Sequence, residues 1–191
     1  MRQLDKQEWL LVRELIKNPR ISDNQISKNT KVPVMTVNRK RKQLEDESIL
    51  HYYCYVDTSR YGLGIMPARQ LYVIKFKIGI TKKEFIDKLM SEPEMKTFYT
   101  IHELESFVGE KDGQLVYCVI IEGNKNHEIV EIFNGKIVQM MFRIFGNDCI
   151  NEVYTVRLTT QLRTLHNYLS LLNVEKGKIK HDYPDEYIFV D

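Results

Sequence analysis

With 191 residues, 43% of them hydrophobic and 28% charged, the chain has material for one or two packed domains and too many apolar side chains for wholesale disorder. No apolar run approaches the roughly 20 residues that a membrane-spanning helix requires, and the start MRQLDKQEWL has neither a signal-peptide core nor a cleavage site, so a cytoplasmic protein is expected. The net charge of +2 conceals an asymmetry: residues 1–64 hold 12 Lys+Arg against 8 Asp+Glu, net +4, leaving 16 against 18, net −2, for the rest. A basic first third joined to a slightly acidic remainder is the pattern of a polyanion-binding module with a partner domain. Cys54, Cys118 and Cys149 form no CxxC and no Cys/His cluster of zinc spacing; they read as reduced, buried thiols, and no metal site is expected.

Three helix starts follow one another. Asp5 caps the first, with Glu8 three residues on and Leu4 and Trp9 as a hydrophobic staple; Trp9, Val12, Leu15 and Ile16 keep helical spacing, and Asn18-Pro19 stops it. Ser22 caps the second, with Gln25 at the third position and Ile21 and Ile26 as the staple, and this helix runs to about Asn29. Val32 and Val37 bracket the third, where Pro33 stands in place of a polar cap, and it continues through Leu44 to about Glu47. The β-rich run from Ile49 to Val56 follows. Three short helices with tight links and then a β-rich run are the parts of a winged helix-turn-helix.

In the third helix Val34, Val37 and Leu44 are expected to face the other two, leaving Met35, Thr36, Asn38, Arg39, Lys40 and Lys42 to project outward. That face suits DNA: Arg and Lys match guanine edges and phosphates, Asn an adenine edge, Thr36 a phosphate or a thymine methyl, and Met35 an apolar contact. The run Arg39-Lys40-Arg41-Lys42 also reads as an ordinary solvated helix face; its place in the third of three helices favours DNA binding. Arg41 falls where a third apolar residue would complete the inward stripe, so its stem is expected to pack while its head reaches outward.

These residues resemble the leucine-responsive/asparagine-regulator (Lrp/AsnC, or feast/famine) family of prokaryotic transcription regulators. Leu4-Asp5, the run Asn18 to Asp23, Thr36-Val37, Leu44-Glu45 and the run Tyr61 to Gly64 fall in the order and spacing of that family's DNA-binding half. Two positions depart from the pattern: Pro33 stands where the family usually has a polar cap, and Ser48 where it has a glycine after the third helix. Both bear on local stability rather than on DNA contact.

Beyond Gly62, Gly64 and Pro67, a strand is expected over Gln70 to Gly79, then a helix capped by Thr81 with Glu84 as partner, ended before Pro93. Met95 to Phe107 reads as β-rich, Gly109 to Gly113 as a turn, and Leu115 to Ile121 as the most strand-like run, so a hairpin is expected. Asn126 to about Phe145 has helical spacing with Gly135 inside it, which marks a kink or break, and Glu152 to Leu158 supplies a fourth strand. The order βαββαβ is ferredoxin-like, giving an α+β protein with residues 1–64 as the DNA-binding domain, 65–173 as the second domain and 174–191 as a tail. Two helices cover one face of such a sheet, and a second subunit is the economical cover for the other.

The resemblance implies that this second domain pairs subunits into dimers or rings of dimers and binds an amino-acid-like effector at a subunit interface, near a turn marked GxxD. Gly109 and Asp112 match that mark, and they equally fit a turn-shaping role alone. The resemblance stops near residue 158. Leu162, Leu165, Leu169 and Leu172 keep helical spacing, with an extension of the fourth strand as the alternative, and the tail reads as a segment that docks on its own or a neighbouring subunit.

The five histidines are scattered singly, and no HExxH, GxSxG, phosphate-binding loop or dinucleotide fingerprint occurs. No enzyme and no cofactor are therefore expected. The reading is a cytoplasmic, nucleoid-associated regulator binding double-stranded DNA as an even-numbered oligomer, with no membrane partner. The alternatives are an architectural DNA-coating protein without an effector, and a relative of the haem-pathway decarboxylases that share the two-domain plan.

Overall fold

The computed structural model describes residues 2–53, 68–169 and 171–188, without side chains at 95–97, 99 and 100. The chain divides into two units, one of Met1–Tyr55 with Gln161–Asp191 and the other of Val56–Thr160. The expected boundary at Gly64, the Tyr61 to Gly64 motif, Cys54 and the end of the expected wing lie outside the described residues.

In the first unit α1 (Lys6–Lys17), α2 (Asp23–Thr30) and α3 (Val34–Asp46) follow the caps read from the sequence. Asp5 and Glu8 close a reciprocal capping box, and Ser22 accepts the Gln25 N–H. Pro33 begins α3 without a side-chain cap. After α3 the Ser48 N–H donates to Glu45 O and the Ile49 N–H to Leu44 O, both at 3.0 Å, a Schellman closure in which Ser48 takes the left-handed position at φ 54. Residues 49–53, the described part of the expected β-rich run, are not in a strand.

Helix α1 has two apolar stripes. Leu11 and Leu15 join Ile26, Val32 and Val37 in the three-helix core. Trp9, Val12 and Ile16 instead meet Ile179, Ile188, Tyr168 and Tyr183 from the end of the chain. There β5 (Val174–Glu175) and β6 (Lys178–Ile179) form a two-stranded hairpin, and a 3-10 turn spans Asp185–Tyr187. The Tyr168 hydroxyl donates to Ile16 O at 2.6 Å, and Lys17 pairs with Asp185 at 2.7 Å. Residues 161–173, expected in the second domain, therefore group with the first. The expected helix over Leu162 to Leu172 is absent as well: this stretch is turns and one bridge between Leu165 and Tyr168, because it is ordered by docking on α1 rather than by its own periodicity. The tail docks on its own chain.

In the second unit β1 (Ala68–Phe76), α4 (Lys82–Ser91), α5 (Pro93–His102), β2 (Glu103–Lys111), β3 (Gln114–Gly123), α6 (Asn126–Ile132), α7 (Gln139–Phe145) and β4 (Ile150–Leu158) build an antiparallel sheet of order β2-β3-β1-β4. That is the ferredoxin-like order expected from βαββαβ. Three details differ from the sequence reading. Pro93 opens a helix rather than marking the space after one, because proline suits a first helical turn, so β2 begins at Glu103. The turn shrinks to Asp112-Gly113, both at positive φ (54 and 72), the two-residue form that matches strand twist. Around Gly135 the helix does not break: Phe133–Val138 winds as a π-helix joining α6 to α7.

Tyr72, Ile74, Phe76, Tyr117, Val119 and Ile121 face the helices and are buried with Phe85, Leu89, Ile129, Ile137 and Met141. Strand alternation sends Leu71, Val73, Val116, Cys118, Ile120 and Val156 to the opposite face, which no helix among the described residues of this unit covers. Cys149 is buried and Cys118 half-buried, both as free thiols. No helix among the described residues is long and apolar enough to cross a membrane.

Candidate nucleic-acid interface

The face of α3 is set by what its other side is tied to. Val37 and Leu44 are fully buried, and Lys40 lies three residues after one and four before the other, so a helix of 3.6 residues per turn puts all three on one side. Lys40 is 6% exposed. Its ammonium contacts Asp5 and lies 3.8 Å from Glu8. Glu8, 1% exposed, receives two bonds from Arg2, at 2.8 and 3.0 Å, and the Asp5 N–H at 2.8 Å. The Lys40 hydrogen bond holds the Asp5 carboxyl below its ordinary pKa, and Arg2 does the same for Glu8 against the opposing effect of burial. Lys40 was expected to project towards DNA; the structure instead makes it the inward clamp between α3 and the start of α1.

Arg41 is likewise held. It donates to Asp23 at 2.9 Å, to Ile21 O at 3.2 Å and to the Tyr52 hydroxyl at 2.9 Å, and lies 5.4 Å from the Tyr52 ring centre. Its stem packs as expected, but its head is bound to the protein rather than offered to solvent. Asp23, which caps nothing, thereby ties the start of α2 to α3, a link the sequence reading missed. It also receives Asn38 Nδ2 at 3.0 Å.

Met35, Asn38, Arg39 and Lys42 remain on the exposed side, with Thr36 half-buried at its edge. Arg39 and Lys42 make no hydrogen bond or ion pair among the described residues, and Met35 is 79% exposed. Met35 to Asn38, Met35 to Arg39 and Asn38 to Lys42 are three or four residues apart, so the four side chains form one patch. With one N–H on Asp23, the Asn38 amide keeps its carbonyl and second N–H for an adenine edge. The patch is two cations without partners among the described residues, one oriented amide and one apolar tip.

In the second unit the two effector candidates part. Gly109 sits inside β2 opposite Val116, not in the turn. Asp112 occupies the first turn position, and its carboxylate pairs with Lys75 Nζ at 2.8 Å, which lowers its pKa. Lys75 is 8% exposed, on the sheet face without helices. A separate open groove of about 510 Å³ runs between the π-helical segment and β4, lined by Tyr72, Phe133, Asn134, Phe142, Val153 and Thr155 among others, none of them charged.

An HTH whose third helix carries an exposed cationic patch without partners among the described residues, in one chain with a βαββαβ sheet domain, defines a two-domain helix-turn-helix protein. Residues 4–50 match the family model described as winged helix-turn-helix DNA-binding. Among curated proteins, none matches the chain by sequence. Solved structures do match in fold. A Neisseria meningitidis transcriptional regulator in complex with L-Met is 14% identical with a TM-score of 0.62, covering 86% of this chain and 95% of that one. Bacillus subtilis LrpC is 18% identical with a TM-score of 0.59, covering 86% and 100%, and Escherichia coli AsnC is 15% identical with a TM-score of 0.61, covering 86% and 99%. The chain therefore has the two-domain fold of the Lrp/AsnC regulators, as the resemblance implied, together with residues that have no counterpart in them.

Proposed function

We propose that the chain is a sequence-specific, DNA-binding transcription regulator of the Lrp/AsnC type. The observation that carries this reading is the patch of Met35, Asn38, Arg39 and Lys42: its two cations have no partner among the described residues, while neighbouring Lys40 and Arg41 are consumed by Asp5, Asp23 and Tyr52. Arg39 and Asn38 read base edges, and Lys42 and Thr36 contact phosphate. Lys40 is no longer among the DNA-contacting residues. The protein works as a homodimer or a higher even-numbered oligomer in the cytoplasm, with a second copy covering the apolar sheet face around Leu71, Val73 and Val116.

The second domain responds to an amino-acid-like effector at a subunit interface near Asp112; a structural neighbour that is a complex with L-Met supports this. An effector ammonium there has to displace Lys75 from Asp112. Gly109 contributes through its strand backbone rather than through a turn. Footprinting over a library of duplexes tests the reading: two protected half-sites spaced by about 10 bp or a multiple are expected from a two-fold dimer. Uniform coating without a preferred spacing overturns it in favour of an architectural protein.

A further inference from the structure

At the open edge of the sheet, α4 and β2 border a groove of about 150 Å³ lined chiefly by Phe85, Ile86, Leu89, Met90 and Val108. Glu103 is the one charged residue among its described lining. The register of β2 against β3 slips between Glu103 and Glu105, and a bulge of this kind re-aims side chains. Here it sets Glu103 opposite Ile121, on the helix-covered side, while Glu105 pairs with Ile120 on the open side. The Tyr117 hydroxyl donates to Glu103 at 3.1 Å, and Ser106 lines the same groove. No described Lys, Arg or His forms an ion pair with it. Burial pushes its pKa up. Glu103 is half-buried; a partly desolvated carboxyl is favourably matched by a cation, and a perturbed carboxyl in a cleft is a pattern of ligand sites.

We propose that this groove binds a small primary amine with an apolar body, its ammonium on Glu103 and its hydrocarbon against Phe85, Ile86, Leu89 and Met90. The described lining offers no cation to a second carboxylate, so a free amino acid is expected to leave its own carboxylate unpaired and to be rejected, whereas the matching amine is accepted. The site is separate from the Asp112 turn, which lies at the other end of β2, roughly 25–30 Å away at the rise of an extended strand.

The test is a titration of the full chain with 3-methylbutylamine, read by NMR at the methyl groups of Met90 and Ile86, with 3-methylbutan-1-ol and leucine as isosteres. The amine is expected to shift both methyls saturably, the alcohol to bind about tenfold more weakly or worse, and leucine to leave both unmoved. Glu103→Gln is expected to weaken the amine by about tenfold or more while leaving the alcohol unchanged. Met90→Trp, which fills the groove from its exposed rim, is expected to abolish the response. Amine shifts of equal strength in the native chain and Glu103→Gln, an alcohol or leucine that binds as well as the amine, or methyls that do not move all overturn the proposal. If Glu103→Gln does not fold, Met90→Trp and the three-ligand comparison decide alone.

Discussion

Replacing Lys40 by Met separates structure from recognition within one turn of helix. Methionine keeps an unbranched apolar stem where Lys40 packs, so the change removes chiefly the ammonium. Glu8 keeps both Arg2 bonds and the Asp5 N–H, and Asp5 keeps the N–H groups of Gln7 and Glu8 at 2.9 and 3.0 Å. What is lost is the charge-assisted bond to Asp5, about 1.5–3 kcal/mol in a shielded site, with the longer 3.8 Å ion pair to Glu8. The Asp5 side chain is 54% exposed, and screening there reduces the loss to about 1 kcal/mol. A unit of this size then melts about 4–8 °C lower. DNA binding measured across a salt series should keep its slope, because no phosphate contact is removed. Lys42→Ala should do the reverse, leaving the melt within about 0.5 kcal/mol and reducing the slope by about one unit. A Lys40→Met protein that melts normally and loses a unit of slope refutes the inward assignment.

Asp5 and Glu8 both have pKa values lowered in the folded state, so their contribution is complete above the ordinary carboxylate range and lost as pH falls through the folded values. Acid titration of the first unit should show destabilisation beginning below about pH 4, steeper than in Glu8→Gln. Ser48→Gly relieves a left-handed residue and should raise stability by about 0.5–1 kcal/mol in urea unfolding; no gain refutes the strain. Ile188→Ala should cost about 2–4 kcal/mol if the tail is a built part of the first unit, and Tyr168→Phe about 1 kcal/mol for the bond to Ile16 O. A tail that only rests on α1 would leave both variants unchanged.

Local signals were the readable ones. Each cap at Asp5, Ser22 and Thr81 is a contact between residues three apart, so the pattern of side chains carries it. The sheet order followed from the alternation of strands and helices and the antiparallel hairpin. The sequence reading places Arg41 on the inward stripe and Lys40 outside, whereas Lys40, three residues after Val37 and four before Leu44, is the one that spacing puts inside. The second stripe of α1 was also visible: Trp9, Val12 and Ile16 are too apolar for solvent, and that excess is what the chain end covers. That the cover would be turns and a short hairpin, not a leucine helix, is decided by distant packing that no local spacing records. The same holds for Asp112, whose tie to Lys75 spans two strands, and for Glu103, whose direction depends on a bulge.

The most direct measurement is the selection of preferred duplexes by the native protein and by Arg39→Ala, with affinities taken at matched salt. The exposed patch on α3 predicts that Arg39→Ala relaxes preference at one base position in each half-site and weakens binding by about 1–3 kcal/mol. An unchanged site preference together with unchanged affinity would contradict it.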